Sequence, residues 1–390
     1  MRHTFRVIQD FKEVESLRPV WEQWQRHPNS DLDHFLLVCR LRQSQPFVIV
    51  LDNENGPVAI LVARLEDGQI APSVGYFVPF RLAVKRLAVI NQGLLGEVNA
   101  SVAISLMEAL HEAMAREGID VVELFHLPED SPLLQVAVTG TPQLWRDGQP
   151  SWSTHWDLVL PREVGGLLKK MSSKHRYWIR RKMRELEGAF PKGVRYRTFA
   201  TSDDIEPLCA ELEEVAKLTY QRALAAGFID DAEQRERFAL FSRRGGLRAW
   251  TLHLDDVPRA YAVGIVYQGT FHFAMTGYDP NFRSFEIGTL LFLHMTDELI
   301  REGLTKFDFG LGNAFYKERF GDNSWQEGSL RLYRRSVRNL LAKTGVAIVD
   351  YGGAAGRRIA ERLGAIDKIK TKWRSRITST KKTANNGHTP

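Results

Sequence analysis

The chain has only two cysteines among its 390 residues, Cys39 and Cys209, and they lie far apart in apolar segments. Neither belongs to a CxxC pair or has a histidine at metal-ligand spacing, so the sequence predicts no disulfide framework and no metal site. No apolar run reaches the roughly 18 residues that a membrane span needs, and the first residues, MRHTFRVIQDFK, lack the apolar core of a signal peptide. We therefore expect a cytoplasmic protein with two buried free thiols.

Length and charge distribution set further limits. The chain is long enough for two domains, and 44% hydrophobic with 26% charged residues is typical of a globular protein. The net charge of +6 is concentrated at one end, because residues 331–390 carry fifteen lysines and arginines against three acidic residues. A polyanion should therefore meet specific basic surfaces rather than the whole molecule.

Residues 1–150 have the pattern of an α/β unit. The periodicity predicts strands at 5–9, 47–51, 58–65 and 121–125, an apolar stretch at 87–95, and helices at 11–24 and 101–117. Prolines and glycines between residues 139 and 153 are typical of a linker. We place a domain boundary near residue 150.

The second half begins with a strand at 156–160 and a strongly basic helix at 167–190. A strand at 194–199 and a helical region at 205–243 follow, and then three strands at 246–254, 257–267 and 270–277. The links Asp255-Asp256 and Gln268-Gly269 are short enough for hairpins, so these three strands should form an antiparallel meander. A helix at 287–302 and a strand at 306–309 complete the pattern.

Three phrases in this order, SSKHRYWIRRKMRELEG, TGYDPNF and FDFGLGNAFYKERFG, resemble the CelD/BcsL branch of the GNAT acyltransferase superfamily, which is similar in turn to FemAB-type peptidyl transferases. The resemblance covers about residues 155–335. It implies an α/β (α+β) fold of tandem GNAT-like domains, 1–150 and 151–335, with mixed, mostly antiparallel sheets flanked by helices. A basic, partly disordered helical tail, 336–390, would follow.

The resemblance also implies the activity. The chain would transfer an acyl group, acetyl from acetyl-CoA or another acyl-CoA, to an amine or hydroxyl of a sugar or cell-envelope polysaccharide precursor. Two alternatives stay open. A FemAB-like enzyme would use an aminoacyl-tRNA as donor, and a membrane-associated scaffold with this fold would have no catalytic activity.

A donor loop is implied at residues 283–288. The family holds the CoA pyrophosphate with an Arg/Gln-x-x-Gly-x-Gly/Ala loop, which matches here at Arg283 and Gly288. The backbone N–H groups of Gly288, Thr289 and Leu290 would bind phosphate at a helix N-terminus. Glu286 replaces the first glycine, and a carboxylate there would cap the helix and oppose a second anion.

A catalytic corner is expected around the strand at 306–309. Alternation points Asp308 away from Phe307 and Phe309, so its carboxylate should face a cleft. Acyl transfer needs a base, a cation for the oxyanion and a proton donor for the leaving group. We assign these roles to Asp308, Lys317 and Tyr316, with His272 and Tyr278 as alternative bases and Asn313 and Tyr278 as substrate contacts.

Structural interpretations of the same residues remain open. Asp308 would pair with Lys317 or Arg319, and His272, flanked by two phenylalanines, would be a core histidine. The basic helix, with Arg180 and Arg181 as substrate contacts, fits the CoA 3′-phosphate, a nucleotide-linked or lipid-linked sugar phosphate, or a tRNA acceptor stem.

The tail predicts a second surface. Its helix would carry an apolar stripe among basic residues, as expected of a segment that lies on an anionic membrane. The predicted stripe comprises Val337, Leu340, Leu341, Thr344, Ile348 and Tyr351, continuing through Ile359, Leu363, Ile366 and Ile369. A helix docked on the domain is the structural alternative.

Overall fold

The computed structural model describes residues 3–72, 78–190, 193–219, 222 and 227–362, without the side chains of 350–362. In this part of the chain, twelve strands form one mixed sheet. They are β1 (Thr4–Ile8), β2 (Gln45–Asn53), β3 (Gly56–Ile70), β4 (Leu82–Gly96), β5 (Val121–Pro128), β6 (Ser151–Val159), β7 (Val194–Phe199), β8 (Leu247–Leu254), β9 (Val257–Tyr267), β10 (Thr270–Tyr278), β11 (Lys306–Leu311) and β12 (Asn323–Tyr333).

Helices cover both faces of this sheet. They are α1 (Phe11–Ser16), α2 (Arg18–Trp24), α3 (Leu32–Leu41), α4 (Ala100–Arg116), α5 (Pro132–Gly140), α6 (Gly166–Lys170), α7 (Ser173–Ala189), α8 (Ile205–Ala216), α9 (Ala232–Arg243), α10 (Ile287–Arg301), α11 (Phe315–Phe320) and α12 (Val337–Arg362). In the first half, α4 and α5 pack on one face and α1 to α3 on the other. In the second half, α6, α7, α10 and α11 cover one face, while α8 and α9 cover the other.

The two halves repeat one topology. Each has a strand, a helical segment, a three-stranded meander, a helix and a further strand, and that last strand is parallel to the third strand of the meander. The other strand pairs are antiparallel. This arrangement confirms the predicted fold class, an α/β protein of tandem GNAT-like architecture with a mixed, mostly antiparallel sheet.

The repeats exchange strands at the middle of the sheet. The order is β1-β2-β3-β4-β5-β12-β6-β11-β10-β9-β8-β7, so β12 lies between β5 and β6. The sequence prediction missed β12, where a register shift between Gly328 and Leu330 interrupts the alternation. Strand β6, which follows the first repeat, pairs with β11 of the second.

Local sequence patterns predicted most of the helices and strands of the second half. Both predicted hairpins form, because Asp255, Asp256, Gln268 and Gly269 take the positive φ values that two-residue turns require. The predicted helix at 167–190 is instead two helices, since Ser172 caps a new one at His175 N–H.

In the first half, several predicted elements differ from those observed. The single helix expected at 11–24 is two, with Pro19 in the first turn of α2. Helix α3 was missed, and α5 extends to Gly140, into the segment expected to be a linker.

The tail begins with α12, which docks on the first half. Ala342 and Val346 are buried against a small cluster that includes Tyr333 and Phe80, and Asn339 is also buried. Val337, Leu341 and Ile348 of the predicted stripe are exposed instead. The predicted continuation of the stripe from Ile359 onward lies outside the described side chains. None of the described helices is both long and apolar enough to span a membrane.

Candidate functional site

A cavity of about 240 Å³ lies where β10 and β11 separate. Their parallel pairing ends at His272 opposite Asp308, and register shifts follow immediately on the outer side of each strand. Both halves of the chain contribute to the wall, which is formed by His27, Pro28, Asn29, Asn91, His155, Arg237, His272, Phe273, Ala274, Asp308, Gly310 and Leu311. The cavity is therefore built from both repeats.

Asp308 accepts three hydrogen bonds at this cavity. Its Oδ1 accepts from His155 Nε2 at 2.7 Å and from the Gly310 backbone N–H at 2.7 Å, while Oδ2 accepts from His272 Nδ1 at 3.1 Å. Burial alone would raise the pKa of Asp308, but the hydrogen bonds from the two histidines hold it well below its usual range. A carboxylate of this kind orients its neighbours and is a poor base.

His155 is a buried cation between two carboxylates. Its Nε2 contacts Asp308 and its Nδ1 lies 2.8 Å from Glu327 Oε1, an ionic contact that is not aligned as a hydrogen bond. The imidazole stacks on the Trp325 ring, and Trp325 Nε1 donates to Glu327 at 2.9 Å. Burial opposes the charge, but the two carboxylates raise the pKa of His155 to about 9.

His272 has the geometry of a general base. In the neutral imidazole, the hydrogen bond to the ionised Asp308 places the proton on Nδ1 and leaves the lone pair on Nε2. That Nε2 atom is buried and has no hydrogen-bond partner among the described residues. A carboxylate that fixes the tautomer of a histidine in this way prepares the opposite nitrogen to accept a proton.

His27 comes from the loop after α2 and packs edge-on against His272, with ring centroids 4.5 Å apart. Burial, with a smaller effect from His272, lowers the pKa of His27 to about 3, so the ring is neutral. Its Nδ1 accepts from the Asn29 backbone N–H at 3.0 Å. The proton of the neutral ring is therefore on the remaining nitrogen, Nε2.

His27, His272 and Asp308 are the one group among the described residues that could hold a metal ion. The ligand atoms of His27, His272 and Asp308 lie within 4.8 Å of one another. However, the protonated nitrogen of His27 has no lone pair for a metal, and N–H donors already occupy both Asp308 oxygens. This bonding favours proton transfer over coordination, and the expected absence of a metal stays a prediction.

The equivalent position in the first repeat lacks these groups. The parallel pairing of β4 and β5 ends at Val89 opposite Leu124, as that of β10 and β11 ends at His272 opposite Asp308. Both Val89 and Leu124 are buried in the first hydrophobic core. The first repeat therefore contributes wall residues to the cavity, and the His272–Asp308 pair belongs to the second repeat.

Lys317 lies behind β11 and does not line the cavity. Its buried Nζ donates to the carbonyl oxygens of Phe309, Gly310 and Leu311 at 2.8, 3.3 and 2.6 Å. Burial lowers the pKa of Lys317 to about 8. The expected cationic stabiliser therefore holds the end of β11, and Asp308 pairs with histidines rather than with Lys317 or Arg319.

The other predicted contacts lie around the second core. The Tyr316 ring packs against Phe273, which lines the cavity, and against Phe309. Tyr278 covers Gly288, where an added Cβ would lie 3.3 Å from its ring. Asn313 is exposed in the loop before α11. Of the predicted catalytic residues, the structure thus brings together Asp308 and His272.

The predicted donor loop precedes α10. Glu286 has φ 58°, the left-handed conformation that the replaced glycine would favour, and its side chain accepts from Thr289 Oγ1 at 3.0 Å. Among the residues that the structure describes, no side chain caps the backbone N–H groups of the first turn, so Gly288 and Thr289 can still donate to an anion. Leu290 cannot, because its N–H donates to the Glu286 carbonyl at 3.0 Å.

The basic helix α7 lies outside the cavity. Arg180 and Arg181 are exposed, and Arg181 pairs with Glu185 at 2.7 Å. Sequence reasoning missed four residues of the site or its surroundings: His27, His155, Arg237 and Glu327. They come from separate elements of both halves, so no local spacing connects them with Asp308.

Comparisons with known proteins agree with this fold. Residues 173–318, which include His272 and Asp308, match the family model described as acetyltransferase (GNAT) domain. No curated protein matches the chain. Similar solved structures include FemX, at 10% identity and a TM-score of 0.53, with 88% of this chain and 100% of that chain covered.

Two further solved structures are similar at lower TM-scores. One is the C-terminal domain of a putative lysylphosphatidylglycerol synthetase from Agrobacterium fabrum, at 11% identity, covering 87% and 97% of the two chains, with a TM-score of 0.49. The other is a tandem GNAT protein from the clavulanic acid biosynthesis pathway, at 16% identity, covering 86% and 99%, with a TM-score of 0.48. Of these three structures, FemX has the TM-score above 0.5, and its 10% identity shows likeness of fold alone.

Proposed function

We propose that this chain is an acyltransferase in which His272 is the general base and Asp308 positions it. The observation that carries the proposal is the buried, unpartnered Nε2 of His272, at the end of the β10–β11 pairing and within the segment that matches the GNAT domain. The acceptor group is an amine or a hydroxyl. Both have a proton that a base must remove during acyl transfer.

In the reaction, the acceptor nitrogen or oxygen attacks the acyl carbonyl carbon and forms a bond to it. His272 Nε2 takes the proton of the acceptor, and Asp308 stabilises the imidazolium that results. The tetrahedral intermediate then collapses, the bond from the acyl carbon to the leaving group breaks, and the leaving group takes up a proton. Tyr316, beside Phe273, is our candidate donor of that proton.

Acyl-CoA, with acetyl-CoA foremost, is the donor that we propose. The uncapped N-terminus of α10 offers N–H groups to a phosphate, and Arg283 is in the preceding turn. Glu286 reduces this advantage by its negative charge. Two basic side chains, Arg319 and His175, lie near that charge, which raises the pKa of each against the larger, opposite effect of burial. The CelD/BcsL resemblance supports a sugar or cell-envelope precursor as acceptor.

The test is thiol release from a panel of acyl-CoAs in the presence of amino-sugar and amino-acid acceptors. His272→Gln should lower kcat/KM by about 10²- to 10⁴-fold, the usual contribution of a general base. Asp308→Asn should also lose activity, because it changes the tautomer of His272. His111→Gln is the matched control, since His111 lies on α4 outside the cavity.

Two results would contradict parts of this proposal separately. Release of thiol at wild-type rates by His272→Gln would remove His272 as the base. Absence of thiol release with every acyl-CoA, combined with acyl transfer from an aminoacyl-tRNA, would replace the donor with the FemAB-like alternative.

Peripheral contact with an anionic membrane is a second proposal. Its support is the solvent-facing side of α12, where Val337, Leu341 and Ile348 are 76%, 69% and 68% exposed, with Arg338 also exposed on the helix. The double variant Leu341→Glu and Ile348→Glu should bind phosphatidylserine vesicles more weakly than wild type. Ile104→Glu, on α4, is the control, and equal binding by all three proteins would refute the contact.

A further inference from the structure

We infer that Arg237 makes the cavity selective for an acceptor amine that carries an oxyanion, either a carboxylate or a phosphate. This inference rests on the acyl transfer proposed above and specifies its acceptor. Arg237 belongs to α9 and lines the same cavity as His272 and Asp308. Nothing in the predicted acyl-transfer machinery uses it.

Arg237 has no counter-ion among the described residues. Its Nε is buried without a hydrogen-bond partner, and no carboxylate lies within ion-pair distance. The acidic residue that acts on it electrostatically is Glu233, which is already held by Arg42 through contacts of 2.7 and 2.8 Å. The Asp308 oxygens are occupied by N–H donors.

The Arg237 side chain is partly buried, and a guanidinium nitrogen that is buried without a hydrogen-bond partner, as its Nε is, costs stability because the desolvation is not compensated. Arginine also has a planar set of donors that matches a carboxylate or a phosphate with two parallel hydrogen bonds. An oxyanion of the ligand would therefore complete the site. Burial lowers the pKa of Arg237, which is the direction expected before such an anion binds.

Two unsatisfied acceptors face the same cavity. One is His272 Nε2, and the other is Asn91 Oδ1, which is buried without a hydrogen-bond partner in the described part of the chain. Asn91 lies on a bulge of β4, next to Gln92 with φ 62°, and the bulge turns it out of the regular ladder. Acceptors of this kind fit the N–H groups of an amine, so the cavity has complementary groups for both ends of a small amino acid or aminophosphate.

The size and rigidity of the cavity support a small acceptor group. Its volume of about 240 Å³ is below the roughly 300–1,000 Å³ of pockets for drug-sized ligands. The loop that carries His27 is tied to the second half, since Arg244 contacts both oxygens of Asp31 at 2.8 and 2.9 Å and Tyr267 donates to Asp31 at 3.0 Å. The wall from the first half is therefore preformed.

The test measures binding by calorimetry for two matched pairs of probes. Glycine is compared with glycinamide, and phosphoethanolamine with ethanolamine, so that each pair differs in the oxyanion. The wild-type protein should bind the anionic member of at least one pair tenfold or more tightly than its neutral partner. The pair that shows the difference identifies carboxylate or phosphate.

Variants of Arg237 test whether its side chain causes the selectivity for the anionic probes. Arg237→Gln should abolish the difference within each pair, and Arg237→Lys should keep only part of it, because lysine retains the charge without the planar donors. Arg116→Gln, an exposed arginine of α4 that does not line the cavity, is the control and should keep the wild-type difference. If Arg237→Gln does not fold, the affinity differences measured for the wild type and for Arg237→Lys still test the inference.

Equal affinities within both pairs for the wild type would overturn the inference, as would wild-type selectivity in Arg237→Gln. These outcomes are distinct from failure of the proposed function. Selective binding without acyl transfer from any donor would leave the oxyanion site intact and remove the acyltransferase, whereas acyl transfer without selectivity would do the reverse.

Discussion

Replacement of His155 by glutamine removes the buried cation of the site and tests how much that cation contributes to stability. The imidazolium lies between Asp308 and Glu327, and all three side chains are at least 87% buried. Glutamine can donate to one carboxylate but cannot neutralise either. Removal of one partner from a buried ion pair typically costs about 3–5 kcal/mol.

The pKa of His155 gives an independent magnitude. It is about 9 in the folded protein against 6.5 for a free histidine, and a tenfold change in proton affinity is worth about 1.4 kcal/mol. The charged form therefore contributes about 3 kcal/mol to the free energy of unfolding. Because the folded-state pKa is the higher one, this contribution is fully present below about pH 6.5 and is lost as the pH rises through 9.

Lys317 acts in the opposite direction. Its folded-state pKa of about 8 is below the ordinary 10.5. The contribution of Lys317 to the free energy of unfolding therefore increases as the pH rises from 8 to 10.5. Lys317 is present in both proteins, and the difference between wild type and His155→Gln removes its effect.

Urea unfolding of both proteins at pH 6 and pH 10 measures that difference. We expect the wild type to be more stable by about 3 kcal/mol at pH 6 and by about 1 kcal/mol or less at pH 10, where only a neutral hydrogen bond remains. A difference that stays the same at the two pH values would refute the assignment of His155 as a buried cation.

Three further changes test other features. Glu286→Gly should raise the free energy of unfolding by about 1 kcal/mol, since glycine favours the left-handed backbone, and should tighten acyl-CoA binding by calorimetry because a negative charge is removed. Lys317→Met should lower stability by about 3 kcal/mol in urea, because the Phe309 carbonyl and its neighbours lose their donor. Arg244→Ala should lower stability by about 2 kcal/mol and accelerate amide exchange around Asp31, which loses its cation; unchanged exchange would show that Arg244 does not hold that loop.

The order of elements in the second half follows from local rules that a sequence displays. Alternating residues and two-residue links such as Asp255-Asp256 specify hairpins wherever they occur, so the meander is predictable. Alternation also oriented Asp308 correctly, with Phe307 and Phe309 buried on the opposite face. These inferences need only neighbours along the chain.

The partners of Asp308 follow from long-range topology. His155 and Asp308 are 153 residues apart and meet because β6 leaves the first repeat to pair with β11. Glu327 lies on β12, whose alternation is interrupted by a bulge. Without the strand exchange, a sequence can indicate Asp308 as a polar residue in a core strand but cannot identify the histidines that bind it.

The exchange of strands at the middle of the sheet also has a consequence for synthesis on the ribosome. Strand β5 ends at Pro128, but its partner β12 begins only at Asn323, so one side of β5 stays open while nearly 200 residues are made. An open strand edge is a template for wrong pairing. Nascent chains that stop before β12 should therefore be the aggregation-prone species of this protein. Because pairings between distant strands also form slowly, completion of the sheet should be the last step of its folding.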